Sequence, residues 1–173
     1  MKKIHILILL FFINIAAFSQ DIYSVYIGGG LSCFSIDTKE SSNIGFNIPL
    51  TINKFYFDIS ANIFKADGYT MKLSVKHNLT NQISLLAINV GYIIPINKKE
   101  NISFIPNIGV IQSYNIYENH IGVNTHYLEA DKKYVNVGLI TSFVVSPFVN
   151  INVGVGSKEI FKTTIMLGFN SNK

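Results

Sequence analysis

The chain contains no arginine, and all 14 of its Lys/Arg-type residues are lysines. These lysines form no basic stripe interleaved with aromatic residues, so the sequence gives little support for nucleic-acid binding. Cys33 is the only cysteine, which excludes an intramolecular disulfide, and it falls on the apolar side of an alternating pattern, as a small hydrophobe would. The sequence also lacks an uninterrupted apolar run of about 20 residues, which a transmembrane helix needs.

The first residues carry the features of a secretory signal peptide. Lys2 and Lys3 precede an apolar run from Ile6 to Ile15, and the small residues Ala17 and Ser19 stand at the −3 and −1 positions of a predicted cut before Gln20. We therefore predict a signal peptide over residues 1–19 and a single mature domain over residues 20–173. Removal of the signal peptide leaves 12 lysines against 10 acidic residues, so the exported domain is weakly charged.

The mature chain alternates apolar and polar residues with a period of two, which is typical of β-strands. In residues 43–52, for example, Ile44, Phe46 and Ile48 alternate with Gly45 and Asn47. Eight segments show this pattern, and we predict strands over residues 22–34, 43–52, 55–65, 83–94, 102–117, 134–146, 149–156 and 161–170.

The connections between these strands alternate in length. The longer or more polar ones are residues 35–42, 66–82, 118–133 and 157–160, and the shorter ones are residues 53–54, 97–101 and 147–148. Four loops at one end and three turns at the other describe an eight-stranded antiparallel up-and-down barrel.

Residues 70–79 also alternate, with Met71, Leu73 and Val75 among the apolar positions. They could form a ninth strand. We favour a ribbon that extends the third and fourth strands beyond the membrane, because a ninth strand would break the even count that bacterial barrels have.

Alternation alone does not say which face of the barrel points outward. A soluble surface carries about 25–35% charged residues, whereas the polar faces here carry mainly Asn, Gly, Ser and Thr, and the charges collect in the connections. Small uncharged residues suit the narrow interior of an eight-stranded barrel. We therefore predict a transmembrane β-barrel, with a soluble secreted or periplasmic lipocalin-like barrel, binding an apolar ligand inside, as the alternative.

Two runs carry a resemblance to a known family. GYIIPINKKENISFIPNIGV (Gly91–Val110) and VGLITSFVVSPFVNINVGVGSKEIFKTTIMLGF (Val137–Phe169) resemble the small porin-like outer-membrane β-barrel proteins of the OmpA/OmpX type. The resemblance concerns architecture and not activity. It implies eight antiparallel strands, an outer-membrane location, contact with outer-membrane lipid and insertion by the barrel-assembly machinery.

Asp58 is the most unusual residue of the predicted strands, because its alternation places a carboxylate in the lumen between Tyr56 and Ser60. A buried carboxylate must be hydrogen-bonded, ion-paired or protonated. Lys162 also points inward, but we expect it near the opposite rim, where pairing with Asp58 is doubtful. The interpretation we favour for Asp58 is part of a polar plug rather than of an ion path.

His120 and His126 lie in the predicted loop 118–133 together with Glu118, Glu129 and Asp131. Imidazole and carboxylate groups bind divalent metals, but this spacing matches no compact ligand motif. We therefore predict no metal site and no cofactor, and we interpret the two histidines as candidates for loop interactions at the outer surface.

The sequence does not favour catalysis. Some eight-stranded barrels modify lipids with His and Ser, but no His-x-Ser pair exists, and the interior candidates Ser113 and Ser142 have no histidine beside them in sequence. The triplet Gly28–Gly30 lies within a strand and lacks the rest of a phosphate loop. We predict a non-enzymatic barrel with no wide pore, whose outer loops 66–82 and 118–133 meet an extracellular ligand or protein.

Overall fold

The computed structural model of the protein describes residues 24–36, 43–62, 78–97, 99, 101–119 and 125–170. All regular secondary structure in these residues is β-strand, and no helix among them is long and apolar enough to cross a membrane. The predicted signal peptide over residues 1–19 lies outside the described residues. The strands are β1 (Ser24–Phe34), β2 (Ile44–Ile52), β3 (Phe55–Asn62), β4 (Asn78–Tyr92), β5 (Ile94–Pro95), β6 (Ile102–Asn119), β7 (Thr125–Ser146), β8 (Val149–Gly156) and β9 (Glu159–Asn170).

The strands close into a barrel in which every neighbouring pair is antiparallel. Each strand pairs with the next along the chain except β4, which pairs with β6, and β1 pairs with β9, from Ser24 opposite Asn170 to Phe34 opposite Glu159. β4 and the two-residue β5 both pair with β6, so they form one strand of the barrel, interrupted at Ile93. The predicted eight-stranded antiparallel barrel is therefore confirmed.

Tight turns join the strands at one end of the barrel. Ile52 pairs with Phe55 across the two-residue turn Asn53-Lys54, and Ser146 pairs with Val149 across Pro147-Phe148. Asn53 has a φ of 53°, a left-handed conformation that asparagine tolerates better than most residues. These two turns lie where the sequence predicts them.

The two faces of the strands differ sharply in chemistry, as the alternation predicts. Large apolar side chains that are more than half exposed cover the outside, among them Ile27, Phe46, Ile48, Ile59, Ile88, Val135, Val137, Val155, Ile165 and Leu167. The interior positions carry amides, hydroxyls and a few charges, among them Ser32, Asn47, Asp58, Ser60, Asn89, Asn136, Asn152, Lys162 and Thr164, all of which are buried. The outer surface is therefore apolar and the interior polar, which is the reverse of a soluble barrel.

Two interior glycines allow β1 and β9 to approach closely. A Cβ at Gly28 would overlap the backbone of Ile165, and one at Gly30 would overlap the backbone of Thr163. These glycines thus serve close packing against the backbone of β9.

The prediction of a loop over residues 118–133 was wrong. β6 continues to Asn119 and β7 begins at Thr125, with Tyr117 opposite Tyr127 and Asn115 opposite Glu129. The charged residues of this segment suggested a loop, but a hairpin that rises beyond the apolar belt can carry charge on both faces, because both meet water. The described residues therefore show a long β6–β7 hairpin in place of the expected loop.

Two other predicted boundaries also differ. β4 begins at Asn78 rather than at residue 83, and Asn78 and Leu79 pair with Glu118 and Tyr117 of β6. Asn78 and Leu79 are the last two residues of the predicted ribbon 70–79. Its other residues lie outside the described part of the chain, as do residues 63–65 of the predicted third strand. β9 begins at Glu159, inside the predicted loop 157–160.

Candidate functional site

Asp58 lies on β3 inside the barrel and is 1% exposed. Its ammonium partner is Lys162 of β9, whose Nζ lies 2.6 Å from Asp58 Oδ2. Lys162 points inward as expected, but the expectation that it lies near the opposite rim, where pairing with Asp58 is doubtful, was wrong. The strands of a barrel tilt, so residues that face each other across the lumen are offset along the hydrogen-bond ladder, and the long lysine side chain spans the remaining distance.

Glu159 is a second carboxylate at this centre, and the sequence analysis missed it. Its Oε2 lies 2.8 Å from Lys162 Nζ, and the residue is 2% exposed. Residues three apart on a regular strand point to opposite faces. Here the register of β1 and β9 shifts between Cys33 and Phe34, so that Ile160 and Phe161 both point outward while Glu159 and Lys162 both point inward. The shift is a β-bulge, which re-aims a side chain.

Hydrogen bonds reach every oxygen of the two carboxyl groups. Asn89 Nδ2 donates to Asp58 Oδ1 at 2.9 Å and to Glu159 Oε2 at 3.0 Å. Ser60 Oγ lies 2.7 Å from Glu159 Oε1 and 3.3 Å from Asp58 Oδ1, so its single proton serves one of them at a time. Lys162 Nζ contacts the remaining oxygen of Asp58. These five residues form the charged cluster.

Asn136 of β7 links the charged cluster to the backbone of the β8–β9 connection. Its Nδ2 donates to Asn89 Oδ1 at 3.0 Å, and its Oδ1 accepts from the backbone N–H of Lys158 at 3.0 Å and of Glu159 at 3.1 Å. Through it the network spans β3, β4, β7 and β9. A network satisfied at this many points fixes the strands relative to one another.

Apolar layers lie on both sides of the charged cluster. Toward the loop end, the buried residues are Phe34, Ile36, Ile83, Leu85, Ala87 and Ile111. Toward the turn end, Tyr56, Ile105 and Ile140 pack together. A cavity of about 10 Å³ beside Glu159 and Lys162 has room for roughly one water molecule. The described lumen is thus filled by side chains and leaves no wide passage.

The structure describes the backbone position of one of the two histidine candidates. His126 lies on β7 opposite Glu118 in the ladder, and not in a loop. His120 lies outside the described residues. Among the side chains that the structure describes, no three of His, Cys, Asp and Glu come together as a metal site would require.

The long β6–β7 hairpin is the second feature of note. β6 has 18 residues and β7 has 22, against 8 in β8, so the pair rises well beyond β8. On the other side, β4 accompanies β6 as far as Glu118, the ladder partner of Asn78. The last ladder partner that β8 offers to β7 is Gly156, opposite Gly138. Beyond that point β7 carries the exposed residues Ala130, Asp131, Lys132 and Lys133.

Polar contacts hold the hairpin at the place where it leaves the barrel. Ser113 Oγ accepts from the backbone N–H of Lys132 at 3.0 Å and lies 3.1 Å from its carbonyl oxygen. Gln112 Nε2 also donates to that carbonyl, at 3.2 Å. The register of the pair shifts here, between Gln112 and Tyr114. Ser113, an interior candidate in the sequence, therefore serves to anchor a bulge.

Lys158 adds a cationic contact near the base of the hairpin. Its Nζ lies 5.9 Å from the centre of the Tyr134 ring, within the range of a cation–π interaction. Lys132 and Lys133 are exposed on the same part of β7, together with Asp131. The base of the hairpin therefore presents charges of both signs to solvent.

The comparisons with known proteins concern the fold. No family model matches the chain, and no curated protein matches it. Among solved structures, the Ail attachment invasion locus protein of Yersinia pestis is 18% identical with a TM-score of 0.47, covering 85% of this chain and 95% of Ail. The structure of Ail in complex with the heparin analogue sucrose octasulfate is 17% identical to this chain with a TM-score of 0.46, and it covers the same shares of the two chains.

A third solved structure is Neisserial surface protein A. It is 15% identical to this chain with a TM-score of 0.34, and the match covers 85% of this chain and 92% of that protein. The heparin analogue is a ligand of Ail and says nothing about the ligands of this chain. A closed barrel of eight antiparallel strands, apolar outside and polar inside, is nevertheless the build of the OmpA/OmpX-type barrels, so the predicted architecture is confirmed by the fold itself.

Proposed function

We propose that this protein is a small outer-membrane β-barrel, exported by its signal peptide over residues 1–19, that passes no solutes and binds an extracellular ligand or protein through the β6–β7 hairpin. The observation that carries the proposal is the combination of a filled, ion-paired lumen with a hairpin whose β7 strand rises beyond the neighbouring β8. The barrel supplies an anchor, and the hairpin supplies the interaction surface.

The exposed apolar belt supports the membrane location. Among the described residues, 28 large hydrophobic side chains are exposed, and they surround the barrel on all of its long strands. A soluble monomer rarely exposes contiguous apolar patches beyond a few hundred Å². Lipid covers such a belt, and outer-membrane barrels carry one.

The character of the lumen argues against the lipocalin-like alternative. A barrel that binds an apolar ligand inside needs an apolar cavity of about 300–1,000 Å³. Here the centre of the lumen holds Asp58, Glu159 and Lys162, and the cavity beside them measures about 10 Å³. The part of the interior that the structure describes therefore has neither the room nor the chemistry for an apolar ligand.

The hairpin is the surface best suited to a partner outside the cell. Above Gly138, β7 has no ladder partner on β8, and it carries the exposed charged residues Asp131, Lys132 and Lys133. An extended strand edge can pair with a peptide segment, and charged side chains steer its approach. We propose no catalytic role, because the described Ser113 hydroxyl is engaged by the backbone of Lys132.

A truncated hairpin tests the proposal. Tyr114 lies opposite Ala130, so replacing residues 115–129 by Asn-Gly closes the pair with a favourable two-residue turn. The variant should reach the outer membrane and keep its fold, and expressing cells should lose adherence to host-cell and matrix-coated surfaces. Lys99→Gln, in a turn at the opposite end, is the control and should leave adherence unchanged. Equal adherence of the truncated and the full-length protein would overturn the interaction role.

A further inference from the structure

A groove crosses the outer wall of the barrel near its turn end, outside the charged cluster and far from the hairpin. It has a volume of about 450 Å³ and runs between two rows of outward side chains on β3, β4 and β6. One row consists of Phe57, Val90 and Ile108, which are successive ladder partners, and the other of Phe55, Tyr92 and Pro106. The volume lies within the range of ligand-sized clefts, about 300–1,000 Å³.

The walls of the groove are held in place by the sheet and by the aromatic rings. Phe55 and Tyr92 are ladder partners, and their rings meet edge to face with centroids 5.8 Å apart. Pro106 has a short ring and leaves space beside them, where a longer side chain would fill the row. The groove is therefore a fixed feature of the wall, and it is lined mainly by apolar groups.

The turn between β2 and β3, beside the groove, carries a lysine. Lys54 directly precedes Phe55, and its carbonyl oxygen accepts the backbone N–H of Ile93 at 2.7 Å, which holds it beside the end of β4. The exposed Lys99 lies in the turn between β5 and β6. An apolar cleft beside a turn that carries a lysine is complementary to an amphipathic molecule with an acyl chain and an anionic head.

We infer that this groove binds one acyl chain of a membrane phospholipid, whose phosphate is met by Lys54. The inference rests on the membrane location proposed above. A lysine near a membrane surface attracts anionic lipid with an effect of about fivefold in affinity. Lipid in the groove should accordingly exchange more slowly than lipid elsewhere on the belt.

Native mass spectrometry of the purified barrel in mild detergent, with added phosphatidylglycerol, tests the inference. The wild-type protein should retain one phospholipid. Val90→Phe should abolish retention, because the larger side chain fills the groove while suiting a strand. Lys54→Gln should weaken retention about fivefold. Val137→Phe, the same change on the outer face of β7, should retain the lipid as the wild type does.

Each other outcome overturns the inference. Equal retention by the wild type and Val90→Phe would mean that the groove is not the lipid site, and equal retention by Lys54→Gln would remove the phosphate assignment. A dimer that Val90→Phe dissociates would show that a second copy covers the groove. If the proposed membrane location itself is wrong, the wild-type protein would be recovered in buffer without detergent. That result is distinct from a folded membrane protein that retains no lipid.

Discussion

Lys162 Nζ lies 2.6 Å from Asp58 Oδ2, although the two residues are 104 positions apart in the sequence and stand on different sides of the barrel. The same ammonium contacts Glu159 Oε2 at 2.8 Å. Two carboxyl groups and one ammonium thus share the centre of the lumen between two apolar layers. These ion pairs cross the lumen and link β3 to β9, two strands that are adjacent neither in sequence nor in the sheet.

Removing the ammonium should destabilise the barrel strongly. Lys162→Met leaves Asp58 and Glu159 buried without their cation, and breaking a buried pair in this way costs about 3–5 kcal/mol. Urea unfolding in phospholipid vesicles should show that loss in the free energy of unfolding. Lys99→Met removes an exposed lysine from a turn and should change it little. If both variants unfold at the same urea concentration as the wild type, the cluster does not stabilise the fold.

The close approach of β1 and β9 predicts opposite results for two adjacent glycines. A Cβ at Gly30 would overlap the backbone of Thr163, whereas the nearest atom to a Cβ at Gly29 lies at an ordinary 3.8 Å. Gly30→Ala should therefore cost about 1–3 kcal/mol, the usual effect of overpacking, and Gly29→Ala should be nearly neutral. The urea midpoints of the two variants check this. Equal midpoints would contradict the tight β1–β9 pairing.

The apolar belt predicts a dependence on depth for charged substitutions. Ile59 lies in the middle of the belt and Phe148 at the turn end, and their side chains are 53% and 65% exposed. A lysine that faces lipid costs about 2–4 kcal/mol at the midplane and about 0–1 kcal/mol near the interface. Ile59→Lys should thus lower the free energy of unfolding in vesicles far more than Phe148→Lys. On a soluble barrel, both exposed substitutions would be close to neutral.

The filled lumen predicts that the barrel does not pass solutes. Tyr56, Ile105 and Ile140 close the turn end, and the cavity beside Glu159 is water-sized. Vesicles that contain the folded protein should swell in an isotonic sugar solution no faster than empty vesicles. Swelling at the rate of vesicles that contain a general porin would mean that the lumen opens, contrary to the packing described.

Much of the fold can be predicted from the sequence because successive residues of a strand point to opposite faces of the sheet. Ile44, Phe46 and Ile48 point outward, and Asp58 points inward, as the period of two requires. The turn at Asn53 follows from the conformational tolerance of asparagine. The apolar face could be assigned to the outside because the polar residues of the strands are mostly small and uncharged, as the interior of a narrow barrel requires.

The charged cluster could be predicted only in part, because two of its determinants are not local. The bulge at Ile160 places Glu159 and Lys162 on one face, and alternation alone would separate them. The pairing of Lys162 with Asp58 depends on the tilt of the strands, which shifts the height at which residues meet across the lumen. The β6–β7 hairpin was missed for a different reason, since the charges of residues 129–133 resemble those of a loop.

Fractionation of expressing cells, followed by a detergent gel with and without boiling, tests the central claim most directly. A folded barrel whose apolar face meets lipid should be recovered with the outer membrane, require detergent for extraction, and change mobility when it is boiled. Recovery in buffer without detergent, with the same mobility before and after boiling, would contradict the account of a lipid-facing barrel.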